Sequence, residues 1–195
     1  MSGKQMTKKA KPPLTITFVR HGEPGPYIPP HALGPRLTAL GRRQAARVGR
    51  RLAKTRFDHI YASDLRRARE TADAIVRFHP STPYTVTADI REVLSDHHSA
   101  TQKPRTKERR ARVKRERAAL ETFARRVFHR HGLGRHILVV SHYCVTATLI
   151  PILAGADPFA SPTLDHGHTA VAVFKTWKKP GHCIVVLSGC TRHLG

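Results

Sequence analysis

Short apolar strand patterns alternate with helical patterns along most of this 195-residue chain. The clearest strand patterns are the β-branched and aromatic run at residues 14–19 and the apolar run at residues 136–141. Because strands that alternate with helices are typical of βαβ units, this order predicts a parallel sheet covered by helices. The predicted fold class is therefore α/β, a three-layer sandwich with a mostly parallel central sheet flanked by helices.

The same patterns predict the positions of the individual elements. Strands are expected near residues 14–19, 58–63, 85–87, 136–141, 169–174 and 183–187, and helices near 38–54, 65–78, 106–129 and 145–153. Thr38 is the expected N-cap of the first helix, and Ala45, Val48 and Leu52 form its inward stripe. In the third helix the apolar residues lie in the second half, so we expect the Arg-rich first half to be exposed.

Basic residues dominate the composition but are unevenly placed. The formal net charge is +22, with 35 Lys and Arg against 13 Asp and Glu, and 39% of the residues are hydrophobic. That apolar content suffices for a packed core, so wholesale disorder is not expected. Residues 1–12 contribute +4 and residues 103–117 contribute +7, half of the net charge. The sequence predicts a basic flexible tail at 1–12 and a single domain at 13–195, with a basic helical insertion at about 103–130.

Three features bear on where the protein works. No apolar run approaches the ~20 residues that a membrane span needs. The first residues are basic but are not followed by the apolar segment of a secretory signal. Cys144, Cys183 and Cys190 are too few and too scattered for a disulfide framework or a Cys-rich zinc site. We therefore expect a cytoplasmic protein without a membrane span.

Basic and imidazole side chains follow the predicted strands at their carboxyl ends. Arg20 and His21 follow the first strand, Arg67 lies just beyond the second, Glu92 follows the third and His142 the fourth. Because the carboxyl ends of parallel strands meet at one edge of a sheet, we expect these side chains to converge. Guanidinium groups can hold phosphate oxygens, a neutral imidazole can attack phosphorus, and a carboxyl group can protonate the departing alkoxide. The set predicts phosphoryl transfer.

Several ordered motifs carry a family resemblance. Residues 18–23 read F-V-R-H-G-E, and residues 37–45 place Leu-Thr, Gly and Gln-Ala at the spacing L-T-x-x-G-x-x-Q-A. Residues 62–72 read A-S-D-L-R-R-A-R-E-T-A, residues 90–92 I-R-E and residues 139–142 V-V-S-H. With these motifs, from about residue 14 to 175, the sequence resembles the phosphatase branch of the histidine phosphatase superfamily. The resemblance implies a phosphoglycerate-mutase-like fold.

The resemblance also implies a role for each residue of the set. His21 would be the phosphorylated nucleophile and Glu92 the proton donor, with Arg20, Arg67 and His142 around the phosphate. It implies a phosphatase that hydrolyses phosphomonoesters and uses neither metal nor cofactor. The expected substrate-binding residues are Arg20, Glu23, Arg67, His142, Tyr143 and His168.

Adjacent residues offer alternatives at two of these positions. Arg66 lies next to Arg67, although the spacing from Leu65 to the T-A pair at residues 71–72 favours Arg67. Asp96 lies four residues after Glu92 in the same predicted loop and could supply the acid instead.

Departures from the family pattern narrow the expected activity. Residues 24–27 read P-G-P-Y, where mutases and sugar bisphosphatases of the family have a Thr and then an Asn that helps to hold phosphate. The common G-x-W-E-G stretch after the acid is absent, and Tyr143 and Cys144 stand where two glycines are usual. We therefore expect a simple phosphatase with an open site rather than a mutase.

Histidine pairs raise the alternative of a metal site. His166 and His168 form one pair, and His97 and His98 form another. Neither pair is joined by a Cys or a carboxylate at a recognisable ligand spacing, so no metal is expected.

Two other functions remain open at this point. A protein phosphohistidine phosphatase would use the same residues on a phosphoprotein in place of a phosphorylated small molecule. A non-catalytic polyanion-binding module would instead use the basic run at residues 103–117 to bind nucleic acid. This run contains no Phe, Tyr or Trp, which disfavours base stacking but leaves possible non-specific polyanion contact.

Overall fold

A six-stranded sheet with helices on both faces organises the protein in this computed structural model, which describes residues 11–26, 33–93, 106–154, 166–177 and 183–195. The strands are β1 (Leu14–Arg20), β2 (His59–Ser63), β3 (Tyr84–Thr87), β4 (His136–Ser141), β5 (Val171–Thr176) and β6 (Cys183–Cys190). The helices are α1 (Ala39–Leu52), α2 (Arg66–Val76), α3 (Lys107–His131) and α4 (Tyr143–Ala154), with short 3-10 turns at Ala88–Ile90 and Arg192–Leu194.

The strand order is β3-β2-β4-β1-β5-β6, and the first four strands are parallel. β5 pairs antiparallel with β1, and β6 pairs antiparallel with β5, so among the described strands only β5 opposes the direction of the others. This confirms the prediction of a mostly parallel sheet. In the register of β1 with β4, Arg20 lies opposite Ser141. The residues that follow, His21 and His142, therefore leave adjacent strands at the same level.

Alternation along the strands builds two cores, one on each face. On β1, Ile16 and Phe18 join the cluster that packs against α3 and α4, whereas Val19 joins the cluster against α1 and α2. Successive side chains of a strand point to opposite faces, so one strand supplies both layers. The predicted three-layer arrangement follows from this alternation.

The helices begin and end close to the predicted positions. Thr38 caps α1 by accepting a hydrogen bond from the Gly41 N–H at 2.9 Å, and the inward stripe of Ala45, Val48 and Leu52 is buried. Among the described side chains of α3, burial starts at Leu120 and includes Phe123 and Val127. Each such side chain contributes about 1.5–3 kcal/mol when fully buried, so the second half of α3 attaches this helix to the body.

Several boundaries differ from the sequence prediction by two or three residues, among them those of α4, β5 and β6. α4 begins at Tyr143, two residues earlier than expected, so the helix starts directly after His142. β5 begins at Val171 instead of residue 169, because Thr169 adopts a left-handed backbone conformation with φ 56° that interrupts the strand. β6 extends beyond the predicted residue 187 to Cys190.

The structure also bears on membrane crossing and on the cysteines. Within the described part of the chain, the helices lack the combination of length and apolar character that a transmembrane span needs. Cys144, Cys183 and Cys190 are not joined by disulfides in the described part of the chain, and Cys144 is buried. The predicted tail at residues 1–12 lies almost entirely outside the described residues.

Candidate active site

Two histidines face each other at the carboxyl edge of β1 and β4. His21 follows β1 and His142 follows β4, and their ring centroids lie 5.1 Å apart. Both side chains are buried. The parallel register of the two strands therefore produces the pair that the sequence predicted.

Hydrogen bonds fix the tautomer of His21. Its Nδ1 lies 2.7 Å from the carbonyl oxygen of Gly22, which can only accept, so Nδ1 carries the proton. Its Nε2 accepts a hydrogen bond from Nε of Arg67 at 3.0 Å. Burial lowers the pKa of His21 to about 3, and the charges of Arg67 and Arg20 act in the same direction. The ring is therefore neutral near pH 7, with its lone pair at Nε2.

One hydroxyl group ties the His21 loop to α2. The backbone N–H of Gly22 donates to Oγ1 of Thr71 at 3.0 Å, and the same hydroxyl donates to the carbonyl oxygen of Arg67 at 2.7 Å. Thr71 itself is fully buried. It therefore positions the loop that carries His21 relative to the helix turn that carries Arg67.

A close backbone approach ties the same loop to α1. A Cβ atom added to Gly41 would lie 2.1 Å from the carbonyl oxygen of Glu23, so only glycine fits there. The backbone N–H of Glu23 donates to Oε1 of Gln44 at 2.8 Å. Gly41 and Gln44 of the L-T-x-x-G-x-x-Q-A motif thus fix the position of the His21 loop against α1.

Glu23 makes its own side-chain contact within this support. Oγ1 of Thr38 donates to Oε1 of Glu23 at 2.7 Å. The carboxylate predicted to bind substrate therefore interacts with the N-cap of α1.

Two arginines supply positive charge to the pocket. Arg20 donates from one terminal nitrogen to the carbonyl oxygen of His166 at 2.6 Å, and its guanidinium lies 5.7 Å from the centre of the Tyr143 ring. Arg67 reaches both His21 and the carboxylate of Glu92, 3.7 Å away. The structure brings Arg67 to His21, whereas the described contact of Arg66 is made by its backbone N–H to the carbonyl oxygen of Leu33.

His142 lies between a serine and a carboxylate. Its Nε2 is 2.9 Å from Oγ of Ser63, the last residue of β2. Within the described part of the chain its buried Nδ1 has no hydrogen-bond partner, and it faces Oε2 of Glu92 at 3.5 Å. Burial lowers the pKa of His142, so the ring is neutral and Nδ1 is directed into the pocket.

Glu92 is held in place while one of its oxygens faces the two rings. Its Oε1 accepts a hydrogen bond from the backbone N–H of Cys144 at 3.3 Å. Burial raises the pKa of Glu92, although the hydrogen bond from Cys144 and the charges of Arg67 and Arg20 oppose that shift. A carboxyl group with a raised pKa is suited to donate a proton. The alternative acid, Asp96, lies outside the described residues.

The segment before β5 closes another side of the pocket. The ring of His168 lies 5.8 Å from that of His21, and the backbone N–H of Thr169 donates to the carbonyl oxygen of His21 at 3.2 Å. The left-handed conformation of Thr169 is unusual for a β-branched residue and places His168 beside His21.

Charge distinguishes an anion site from a cation site here. Donor atoms of His21, Glu92 and His142 lie within 4.8 Å of one another, a spacing that could hold a metal ion. The guanidiniums of Arg67 and Arg20 flank the same space and favour an anion such as phosphate. Nε2 of His166, from the first histidine pair, lies 2.9 Å from Oγ of Ser188, and His97 and His98 lie outside the described residues.

Sequence reasoning missed two serines that position the site. Ser63 contacts His142, and Oγ of Ser141 donates to the carbonyl oxygen of Ile90 at 2.7 Å, next to the loop that carries Glu92. Both serines stand at the carboxyl end of a strand, and both belong to the ordered motifs. That position was the only available signal, because their partners come from distant parts of the chain.

Comparison with known families gives one match that spans most of the chain. The model described as "Histidine phosphatase superfamily (branch 1)" matches residues 16–187. Fructose-2,6-bisphosphatase TIGAR of Xenopus laevis is 38% identical over 68 residues, which is 33% of this chain and 25% of that protein. The matched segment thus spans only a quarter of the length of this curated relative.

Solved structures share the fold at low sequence identity. Glucosyl-3-phosphoglycerate phosphatase from a mycobacterium superposes with a TM-score of 0.72 at 20% identity, covering 89% of this chain and 97% of that one. Alpha-ribazole phosphatase from Shigella flexneri has a TM-score of 0.71 at 20% identity, covering 91% and 97%. These likenesses establish the phosphoglycerate-mutase-like fold.

Proposed function

The chain belongs to the histidine phosphatase superfamily, branch 1, and we propose that it hydrolyses phosphomonoesters through a phosphohistidine on His21. The observation that carries this proposal is the neutral His21 ring. Its Nδ1–H donates to the carbonyl oxygen of Gly22, and the lone pair of its Nε2 lies beside Arg67. An imidazole that is neutral, oriented and flanked by guanidiniums has what attack on an anionic phosphoryl group requires.

In the first step Nε2 of His21 attacks phosphorus and the P–O bond to the leaving group breaks. Arg20 and Arg67 bind the non-bridging oxygens, and Nδ1 of His142 donates to one of them while Ser63 holds the other side of that ring. The protonated carboxyl group of Glu92 gives its proton to the departing alkoxide. The products of this step are the alcohol and a phosphoryl group on His21.

The second step restores the enzyme. A water molecule attacks phosphorus and gives one proton to the carboxylate of Glu92, while the P–N bond to His21 breaks. Inorganic phosphate leaves, and His21 and Glu92 return to their starting protonation states. Neither step requires an ion beyond the two guanidiniums.

Trapping the intermediate tests the nucleophile directly. The wild-type protein is mixed with a ³²P-labelled phosphomonoester and the reaction is quenched rapidly without acid. We expect the protein to retain label that is stable in base and lost in acid. His21→Ala should carry no label and show no turnover, whereas the exposed-surface control His129→Ala should behave as wild type. Label on His21→Ala, or turnover by it, would refute the proposal.

Phosphorylated small molecules are the proposed substrate class. The named phosphatases of similar fold act on such compounds. A panel of phosphorylated sugars, nucleotides and amino acids, assayed in EDTA beside a phosphohistidine protein, separates this class from the phosphoprotein alternative. We further infer a cytoplasmic location, which fractionation of cells would test.

A further inference from the structure

The first three turns of α3 extend away from the body of the protein as an arm, here called the basic arm (residues 106–119). The side chains described between residues 106 and 115 are all exposed, and burial begins only at Leu120. At 1.5 Å per residue, the arm extends about 20 Å beyond that anchor. It therefore makes little contact with the two cores that stabilise the fold.

The direction of α3 places the arm on the active-site side. α3 connects β3 to β4, and because both strands are parallel to β2, the connecting helix must run back against them. The ring centroid of its last residue, His131, lies 5.1 Å from that of His59 at the start of β2. Leu120, in contrast, packs in one cluster with Ile90, which lies beyond the end of β3. The arm, which precedes Leu120, therefore extends beyond the carboxyl edge of the sheet, where His21 lies.

Positive charge covers the arm. Its sequence holds seven basic and two acidic residues. Arg112 pairs with Glu116 at 2.7 Å and Arg117 with Glu121 at 3.4 Å along the helix, and the composition of the arm leaves it with a net charge of +5. Lys107 and Arg110 lie in the first turns, where the helix dipole disfavours cations. An anionic partner would relieve that repulsion and stabilise the arm.

The distribution of the cations around the helix favours one class of partner. At 100° per residue, Lys114 lies only about 20° from Lys107 around the helix axis, and Arg110 lies about 60° from Lys107 on the same side. Arg115 and Arg112 lie about 80° and 140° from Lys107 in the opposite direction, so the cations cover about 200° of the helix circumference. An acidic protein surface would meet one side only. The major groove of B-DNA is about 12 Å wide, admits an α-helix, and has phosphates along both walls.

A membrane surface fits the arm less well. The apolar residues of its sequence are three alanines and one valine. An interfacial helix needs a broad apolar face to enter the lipid, with residues such as Leu, Phe or Trp. The absence of aromatic residues from the arm's sequence likewise removes base stacking.

We propose that the basic arm binds the phosphate backbone of duplex DNA, without regard to base sequence, on the active-site side of the protein. The interaction is electrostatic and separate from the phosphate pocket. It therefore holds whether or not His21 is the nucleophile.

Salt-dependent binding to a short fluorescent DNA duplex, measured by anisotropy on the full chain, tests this assignment. The arm variant combines Arg110→Gln, Lys114→Gln and Arg115→Gln. The matched control combines Arg43→Gln, Arg50→Gln and Lys54→Gln, which removes three exposed charges from and next to α1. The slope of log K against log salt is negative, and each lost phosphate contact reduces its magnitude by about 0.9. The magnitude should therefore fall by about 2.7 in the arm variant and change little in the control.

Further measurements separate the pocket and other partners from the arm. His21→Ala should bind the duplex as wild type does, and the arm variant should keep its hydrolysis of a small phosphomonoester. Equal slopes for the arm variant and wild type would overturn the proposal, as would an equal loss in the control. Tighter binding to a polyglutamate peptide or to phosphatidylserine vesicles than to the duplex would also overturn it, in favour of an acidic protein or a membrane.

Discussion

Arg67 donates its Nε–H to Nε2 of His21 across 3.0 Å, while Nδ1 of the same ring donates to Gly22. The lone pair that would attack phosphorus is therefore already directed at a guanidinium. In the proposed mechanism, an entering phosphate takes over the Arg67 donor before His21 bonds to phosphorus. The proposal thus gives Arg67 two roles, to orient the ring of His21 and to bind the charge of the substrate.

The first prediction concerns the geometry of that guanidinium. Arg67→Lys keeps the positive charge but loses the Nε–H and the forked arrangement that binds two oxygens. Loss of one such donor costs about 10²–10³ in rate, so kcat/KM for a phosphomonoester should fall by that factor.

Its neighbour supplies the control for this prediction. Arg66→Lys changes the adjacent residue, whose described contact is made by the backbone, and should leave kcat/KM close to wild type. The reverse pattern would show that Arg66 binds the phosphate.

The second prediction uses the leaving group to test Glu92. Glu92→Gln removes the proton donor but keeps the size of the side chain. General acid catalysis contributes about 10²–10⁴, so kcat/KM for an alkyl phosphate should fall by about that factor. An aryl phosphate with an acidic phenol leaves without a proton, so its kcat/KM should fall far less. An equal loss on both substrates would show that Glu92 only positions its neighbours.

The third prediction follows from the raised pKa of Glu92. Proton donation needs the protonated carboxyl group, so its contribution is present below that pKa and is lost as pH rises through it. The ratio of kcat/KM between wild type and Glu92→Gln, on one alkyl phosphate, should therefore fall with rising pH. Taking the ratio cancels the titration of the substrate phosphate, whose pKa is about 6.

The midpoint of that fall is the decisive measurement. It should lie above the ordinary glutamate value of about 4.3. Because the pKa of His21 is about 3, the nucleophile stays neutral over the same range and adds no second transition. A ratio that is constant with pH would contradict the role given to Glu92.

The sequence predicted which strands end at the site, because each motif directly follows a strand pattern. Arg20, His21 and His142 could be placed from that order alone. The choice between Arg66 and Arg67 depends on the rotation of α2, which the buried residues Ala68 and Thr71 set once the helix packs on the sheet.

Hydrogen bonds between distant residues could not be predicted in the same way. Ser63 meets His142 only because β2 pairs with β4, with Ala62 opposite Val140. Such a contact depends on sheet register, which a single sequence does not specify. Thr71 was visible as part of a motif, but its bond to Gly22 depends on how α2 packs.

The fourth prediction tests that Thr71 bond. Thr71→Val keeps the shape of the side chain but leaves the buried N–H of Gly22 without its acceptor. An unsatisfied buried group costs about 1–3 kcal/mol, so the free energy of unfolding in urea should fall by that amount. The kcat/KM should fall as well, because the His21 loop is released from α2.

Thr71→Ser is the matched control, since it keeps the hydroxyl and loses only a methyl group. It should lose some stability but retain kcat/KM. If Thr71→Ser lost as much kcat/KM as Thr71→Val, the effect would come from packing and not from the hydrogen bond.

The fifth prediction concerns the close approach of α1 to the His21 loop. Gly41→Ala would place a Cβ atom 2.1 Å from the carbonyl oxygen of Glu23, a backbone atom that can move only with its loop. Overpacking of this kind costs about 1–3 kcal/mol, and the displaced loop should lower kcat.

At Gly25 the nearest neighbour of an added Cβ, the carbonyl oxygen of Arg36, is 3.6 Å away. Gly25→Ala should therefore stay within about 0.5 kcal/mol of wild type and keep its kcat. If urea unfolding and turnover showed equal losses for the two variants, the His21 loop would be sensitive to any change there, and the contact with Gly41 would have no special role.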